Sequence, residues 1–207
     1  MASIKLRDAA FWYGEHKHQK EAWDFLEQAL HKELLDEFAR RYRNEKAPNY
    51  LVDLPQPGVE LIKEFEGCHL KAYYDPLSGG LPITIGWGST KKLDGSPFFI
   101  GDKVTQQEAD ELFHKQLKKE YLPPLTDIPY WDEMNDNQRG ALLSFAYNLG
   151  AHFYGGKNFS TITFVLKHKQ WERVPEVMYM YRNPGTRVEV GLGRRRKAEG
   201  YLWELKD

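Results

Sequence analysis

Between Val59 and Gly88 the chain changes hydrophobic period twice, and those changes limit what can be built there. Val59, Ile62 and Phe65 recur at the spacing of one helix face, while Glu60, Lys63 and Glu64 lie away from it. Gly67 follows at once, as expected of a left-handed C-terminal cap. At about 100° per residue, Glu66 falls between Val59 and Ile62, turned toward the interior at the negative end of the helix dipole. His69 to Asp75 then alternates Leu70, Ala72 and Tyr74 against Lys71, Tyr73 and Asp75, the period of a half-buried strand. Pro76 and Ser78-Gly79-Gly80 break it. Ile83 to Trp87 alternates again, with Thr84 on the face opposite Ile83 and Ile85. The expected result is a helix end beside a small β-ribbon that carries Asp75 and Thr84.

Burial and the dipole both disfavour the ionised form of Glu66, and a carboxylic acid that keeps its proton near neutral pH can act as a general acid. Asp75, in a polar loop rich in Gly and Ser, is expected to ionise readily. Two carboxyls with opposite protonation preferences are what glycoside hydrolysis requires: one protonates the leaving oxygen, the other deals with water or the sugar cation. Thr84 can position that water, since a hydroxyl donates and accepts at once. Taken singly, a Glu before Gly is an ordinary helix end and an Asp-Pro pair an ordinary turn. The linked pattern carries the argument.

That pattern resembles the phage-type lysozymes of glycoside hydrolase family 24: Glu66-Gly67, then Asp75, then Thr84-Ile85-Gly86-Trp87-Gly88. Val104-Thr105-Gln106-Gln107-Glu108-Ala109-Asp110 is similar to the family's Thr-x-x-Glu-Ala helix start. Asn137 to Gly150 is similar to its central helix, and Gly191-Leu192-Gly193-Arg194-Arg195-Arg196 to its Gly-Leu-x-x-Arg-Arg segment. The resemblance implies an α+β, lysozyme-like fold, with a small antiparallel β-ribbon lobe, a mainly helical lobe and the active site between them. It implies Glu66, Asp75 and Thr84 as the catalytic set. It also matches Tyr147 and Asn148 to sugar-contacting positions, one an aromatic platform and the other an amide. The alternative for that pair is a core aromatic and a helix-end polar residue. Two departures stand out. The loop from Asp75 to Thr84 is longer than in the T-even phage lysozymes, and Ser89 stands where many relatives have His. Support for Glu66 is therefore expected from Arg194 or Arg195, either of which can also line the cleft.

Composition narrows the partners. A formal net charge of −1 in 207 residues argues against a strongly basic nucleic-acid binder. The single cysteine, Cys68, rules out an intramolecular disulfide and reads as a packing residue. The N-terminus lacks the apolar run of a signal peptide, and no stretch reaches the ~18 apolar residues of a membrane span. His16, His18 and His31 stand at no convincing ligand spacing, so neither metal nor cofactor is expected.

Three prolines in Ala47–Pro57 divide the chain. Residues 1–50 read as a helical N-terminal extension, 51–57 as a proline-rich linker and 58–207 as the lysozyme-like domain. In the last, Thr105 and Glu108 make a capping box for a helix to about Tyr121, stopped by Pro123-Pro124. Asn135 or Asp136 caps a helix ending at Gly150, and Ser160 starts another. Pro175 opens Glu176–Tyr181, and Arg194–Leu205 closes the chain. The expectation is a monomeric muramidase cleaving the β-1,4 bond between N-acetylmuramic acid and N-acetylglucosamine in peptidoglycan. Such an enzyme would be a phage or prophage endolysin, cytoplasmic until released to the cell wall. The rivals are a chitinase-like hydrolase and a non-catalytic wall-binding protein on the same scaffold.

Overall fold

The computed structural model describes residues 53–74 and 79–206. The expected N-terminal helices and Asp75 lie outside the described residues. Helix α1 (Gln56–Glu66) starts inside the stretch expected as linker, because Pro57 fits the first helical turn, where no backbone N–H is required. Val59 and Ile62 are fully buried, and Glu64 is exposed. Gly67 ends the helix with φ 69° and ψ 153°. This φ is positive as expected, but the ψ turns the chain outward into a strand rather than into a left-handed cap.

Strand β1 (His69–Tyr74) pairs antiparallel with β2 (Ile83–Gly86), with Tyr73 opposite Thr84. The expected alternation fails in β1, where only the adjacent Ala72 and Tyr73 are half-buried. The register slips between His69 and Tyr73, and an irregularity of that kind re-aims successive side chains. The free edge of β1 also acquires a partner that patterning did not reveal. Ala72 N–H donates to the Asp102 carbonyl, and Val104 N–H donates to the Leu70 carbonyl. Ile83, Ile85, Phe98 and Leu112 form the core of this small lobe, with Ala72 and Val104 packed on it.

Helix α2 (Gln106–Gln116) opens with the expected Thr105–Glu108 capping box. It runs through a π-helical turn at Leu117–Tyr121 directly into α3 (Leu122–Thr126). Pro123 and Pro124 therefore do not stop the chain. They occupy the first turn of α3, where proline costs no hydrogen bond, and the π turn absorbs the ring bulk by shifting the ladder. Helix α4 (Asp136–Leu149) is capped by Asn135 with Gln138 and ends at Gly150. It is buried from Gly140 through Ala146, all the way round rather than on one stripe. Helices α5 (Ser160–Lys167) and α6 (Val174–Met180) follow, and α7 (Glu189–Glu204) closes the unit. This last helix begins five residues before the expected Arg194, because Gly191 and Gly193 lie within it and do not break it. Among the described residues no helix is long and apolar enough to cross a membrane.

The central helix α4 packs on α1 and α7. Its approach to α1 is set by glycine on both sides. A Cβ on Gly58 would lie 2.4 Å from the Gly140 carbonyl oxygen, and one on Gly140 would lie 2.6 Å from the Gly58 nitrogen. Both clashes are with backbone, so no side-chain rotation relieves them. Gly140→Ala is expected to lower stability by ~1–3 kcal/mol despite alanine's better helix propensity, as overpacking does. Urea unfolding of parent and variant checks this; an equal or higher midpoint would show that the two helices can separate freely.

Candidate active site

Glu66, on the last turn of α1, keeps 29% side-chain exposure and so sits at the edge of the interior rather than within it. What it meets there is an arginine. Arg195, on α7 and only 5% exposed, donates from Nη1 to Glu66 Oε1 at 2.5 Å. The guanidinium also donates from Nη2 to the Ser144 carbonyl at 3.1 Å and from Nε to Glu199 Oε1 at 3.2 Å. Its carbon stands 5.5 Å from the centre of the Phe65 ring. Of the two arginines expected to support Glu66, the structure brings Arg195 to it. Arg194 is exposed, because consecutive residues of a helix point about 100° apart.

Arg196 points inward as well and is fully buried, over the Phe145 ring at 4.8 Å. It donates to Asn148 Oδ1 at 3.0 Å and to Glu199 Oε1 at 3.0 Å. Burial foremost, and then the neighbouring Arg195 charge, bring the Arg196 pKa down to about 10, against the pull of Glu199. Burial pushes the Glu199 pKa up, opposed by both arginines and by Ser144. Asn148 thus spends its acceptor on Arg196, which orients the side chain.

Tyr147 forms the junction of the two lobes. Its hydroxyl donates to the Trp87 carbonyl at 2.7 Å, and its ring packs edge-on against Phe113 at 5.6 Å and beside Tyr121 at 4.9 Å. Burial first, then the charge of Glu66, raises the Tyr147 pKa well above the usual phenol range. Tyr121 is raised by burial, with Glu120 and Glu66 adding to it. Both rings therefore lie within electrostatic reach of Glu66. So does Tyr73 of Tyr147. Directly opposed residues of an antiparallel pair share a face, so Thr84 lies on the Tyr73 side of the ribbon, half-buried, its hydroxyl 3.4 Å from the Pro82 carbonyl. Asp75, the residue after β1, lies outside the described residues.

Trp87 packs rather than presenting its face. Its indole donates to Asp110 Oδ1 at 2.8 Å, and Lys63 reaches the same carboxylate at 3.2 Å while standing 5.4 Å from the ring centre. Burial works to raise the Asp110 pKa, but the Trp87 and Lys63 hydrogen bonds hold it below the usual range. Lys63, read from the sequence as lying away from the buried stripe, links α1 to α2 and to the ribbon turn. Cys68 has its thiol pKa raised, by burial first, with Gln106 and Lys63 opposing and Asp110 adding, which is the wrong direction for a nucleophile. Ser89 is buried, and its hydroxyl has no hydrogen-bond partner.

The sequence reasoning missed Ser144 and Glu199. Ser144 was obscured by the apolar run around it. Glu199 lies three residues beyond the quoted basic segment, and its spacing of three and four residues from Arg196 and Arg195 was the available signal.

Comparison with known proteins places this geometry. Residues 63–199 match the family model for phage lysozyme. Over 149 residues the chain is 30% identical to the endolysin of Salmonella phage P22, covering 71% of this chain and 95% of that protein. It is 36% identical over 146 residues to the endolysin of Lactococcus phage c2, covering 70% of this chain and 57% of that longer protein. The crystal structure of a P22 lysozyme mutant superposes with a TM-score of 0.59 at 26% identity, covering 74% of this chain and 99% of that one.

Tyr147→Phe keeps the ring contacts and removes only the tie to Trp87. It is expected to cost ~1 kcal/mol, the usual net worth of one hydrogen bond. On a polypeptide this long that is about 2–4 °C in melting temperature. Unchanged melting would show that the hydroxyl tie contributes nothing to holding the lobes together.

Proposed function

The chain belongs to the phage lysozyme family, and from that membership we infer a muramidase whose general acid is Glu66. As a member it is a glycoside hydrolase acting on peptidoglycan. The observation that carries the residue assignment is the Arg195–Glu66 pair, at the end of α1 and inside the matched region. Arg195 takes Glu66 Oε1 as its acceptor, so the transferable proton belongs on Oε2. Oε2 hands that proton to the glycosidic oxygen as the bond to the leaving sugar breaks. The carboxylate left behind is met by a guanidinium already in place, so no reorganisation is needed when charge appears.

Asp75 is the second carboxylate in this reading, the one that stabilises the oxocarbenium-like transition state or serves as base. Thr84 holds the attacking water through its hydroxyl. Supporting this is the ribbon register, which puts Thr84 on the same face as Tyr73. A water between carboxylate and sugar belongs to an inverting site, where the two carboxyls stand ~6.5–9.5 Å apart. The first-formed product is therefore expected to be the α anomer by NMR. A β product, or a glycosyl adduct on Asp75, would sink that part of the reading.

The decisive assay counts new reducing ends. With purified peptidoglycan, Glu66→Gln is expected to lose ~10²–10⁴-fold in rate, the usual worth of a positioned acid. Glu64→Gln, on the exposed face of the same helix, is expected to match the parent. The parent is expected to act on peptidoglycan in preference to chitin oligomers. Full activity in Glu66→Gln would remove it from the mechanism, and faster cleavage of chitin oligomers would favour the chitinase reading.

A further inference from the structure

Behind Glu66 stands a second carboxylate that no substrate can touch. Glu199 is fully buried. Its Oε1 accepts from Ser144 Oγ at 2.8 Å, Arg195 Nε at 3.2 Å and Arg196 Nη2 at 3.0 Å. Arg196 Nε lies 2.8 Å from Oε2, an ion contact without the alignment of a hydrogen bond. Burial raises the pKa of this carboxylate, but every neighbour is a donor and two of them are cationic, which opposes that shift and favours the ionised form. Arg195 consequently has a carboxylate at each end, Glu199 at Nε and Glu66 at Nη1. A buried charge is costly to desolvate, and well-packed apolar residues serve stability as well or better. Stability alone therefore does not account for an acid at this position.

We propose that Glu199 is a positioning residue for the acid: it fixes the Arg195 guanidinium and shares its charge, so that Glu66 keeps a proton to give. The inference rests on the reading of Glu66 as the general acid. A guanidinium at hydrogen-bond distance with no other counter-ion would favour ionised Glu66 strongly and take the proton away before reaction. With no guanidinium there, the carboxylate formed on proton transfer would stand uncompensated. A shared guanidinium serves both needs. Among the described residues, the other titratable groups facing Glu66 are Tyr147 on α4 and Tyr121 on the π turn, with Tyr73 of the ribbon beyond Tyr147. Burial keeps Tyr147 and Tyr121 as neutral phenols in the working range. Around Glu199 itself, α4 contributes only Ser144, and α7 contributes Arg195 and Arg196.

The test is the pH dependence of reducing-end release. Activity that needs protonated Glu66 falls as pH rises. Removing the Glu199 charge leaves Arg195 to Glu66 alone, favours ionised Glu66 and moves that fall to lower pH. Glu199→Gln is expected to shift the alkaline limb acidward by about one pH unit, with the low-pH plateau in kcat retained and KM little changed. The substitution turns an amide N–H toward Arg196 Nε, so the single variant is paired with Glu199→Gln/Arg196→Gln, where two amides can face each other. Glu199 is one contact from Arg195 and Arg196 is two, so the double variant is expected to shift the same way by less.

In the parent, carboxyl ¹³C NMR is expected to find Glu199 ionised throughout the range over which activity falls. A limb that stays put in either folded variant overturns the proposal, as does a Glu199 signal that titrates together with activity. Glu66→Gln separates the two failures. If it is inactive while the limb stays put, only the role of Glu199 is lost. If it is active, the acid itself was misassigned.

Discussion

A single guanidinium organises the functional half of this molecule. Arg195 reaches from α7 to the end of α1 through Glu66 and to the middle of α4 through the Ser144 carbonyl, and it is braced along its own helix by Glu199. A planar group with five donors in fixed directions can satisfy all three only if the three helices stand in one arrangement. Buried ion networks of this kind contribute little net stability but penalise every other arrangement, because a shifted helix would strand a charge. The glycine contact between Gly58 and Gly140 acts on the same geometry from the other direction. It lets the α1 and α4 backbones touch, and so sets how far Arg195 must reach.

A second set of contacts ties the small lobe to that frame. Tyr147 holds the Trp87 carbonyl from α4, while Asp110 on α2 holds the Trp87 indole and receives Lys63 from α1. Trp87 therefore stands at a point where the ribbon turn, α1, α2 and α4 meet. Its neighbours in sequence, Thr84 on one side and Ser89 on the other, inherit their positions from it. This accounts for Trp87 serving as packing rather than as a stacking surface.

Much of this was legible beforehand because it depended on local rules. The end of α1 at Glu66, the Thr105–Glu108 capping box, the Asn135 cap and the Ile83–Ile85 alternation follow from periodicity and side-chain-to-backbone hydrogen bonding within a few residues. What escaped was set by distant partners. Alternation in β1 was lost to a register slip and to pairing with residues near Lys103, which lie far along the chain. Pro123 and Pro124 were read as a stop because a proline's cost depends on where its helix begins, and the π turn before it moves that start. An arginine beside Glu66 was expected, but the burial of Arg196 and Glu199 behind it was not, because that segment looks like a solvated charged face. On hydropathy alone, the most buried side of α7 is its most charged side.

That inversion bears on how an acid can be kept at the edge of a cleft. Helix geometry brings Glu66 half out of water and sets it at the negative end of the α1 dipole, with a guanidinium 2.5 Å away. Neither influence alone suits proton transfer, since an acid must hold its proton until the substrate arrives and release it as the bond breaks. With burial and dipole opposed by a cation, and that cation in turn opposed by Glu199, the balance at Glu66 depends on groups fixed by packing rather than on solvent. Arg194, one residue away on the same helix and exposed, has no such fixed surroundings. The difference between the two arginines lies in which face of α7 meets α4, where Arg195 reaches the Ser144 carbonyl and Arg194 stays in solvent.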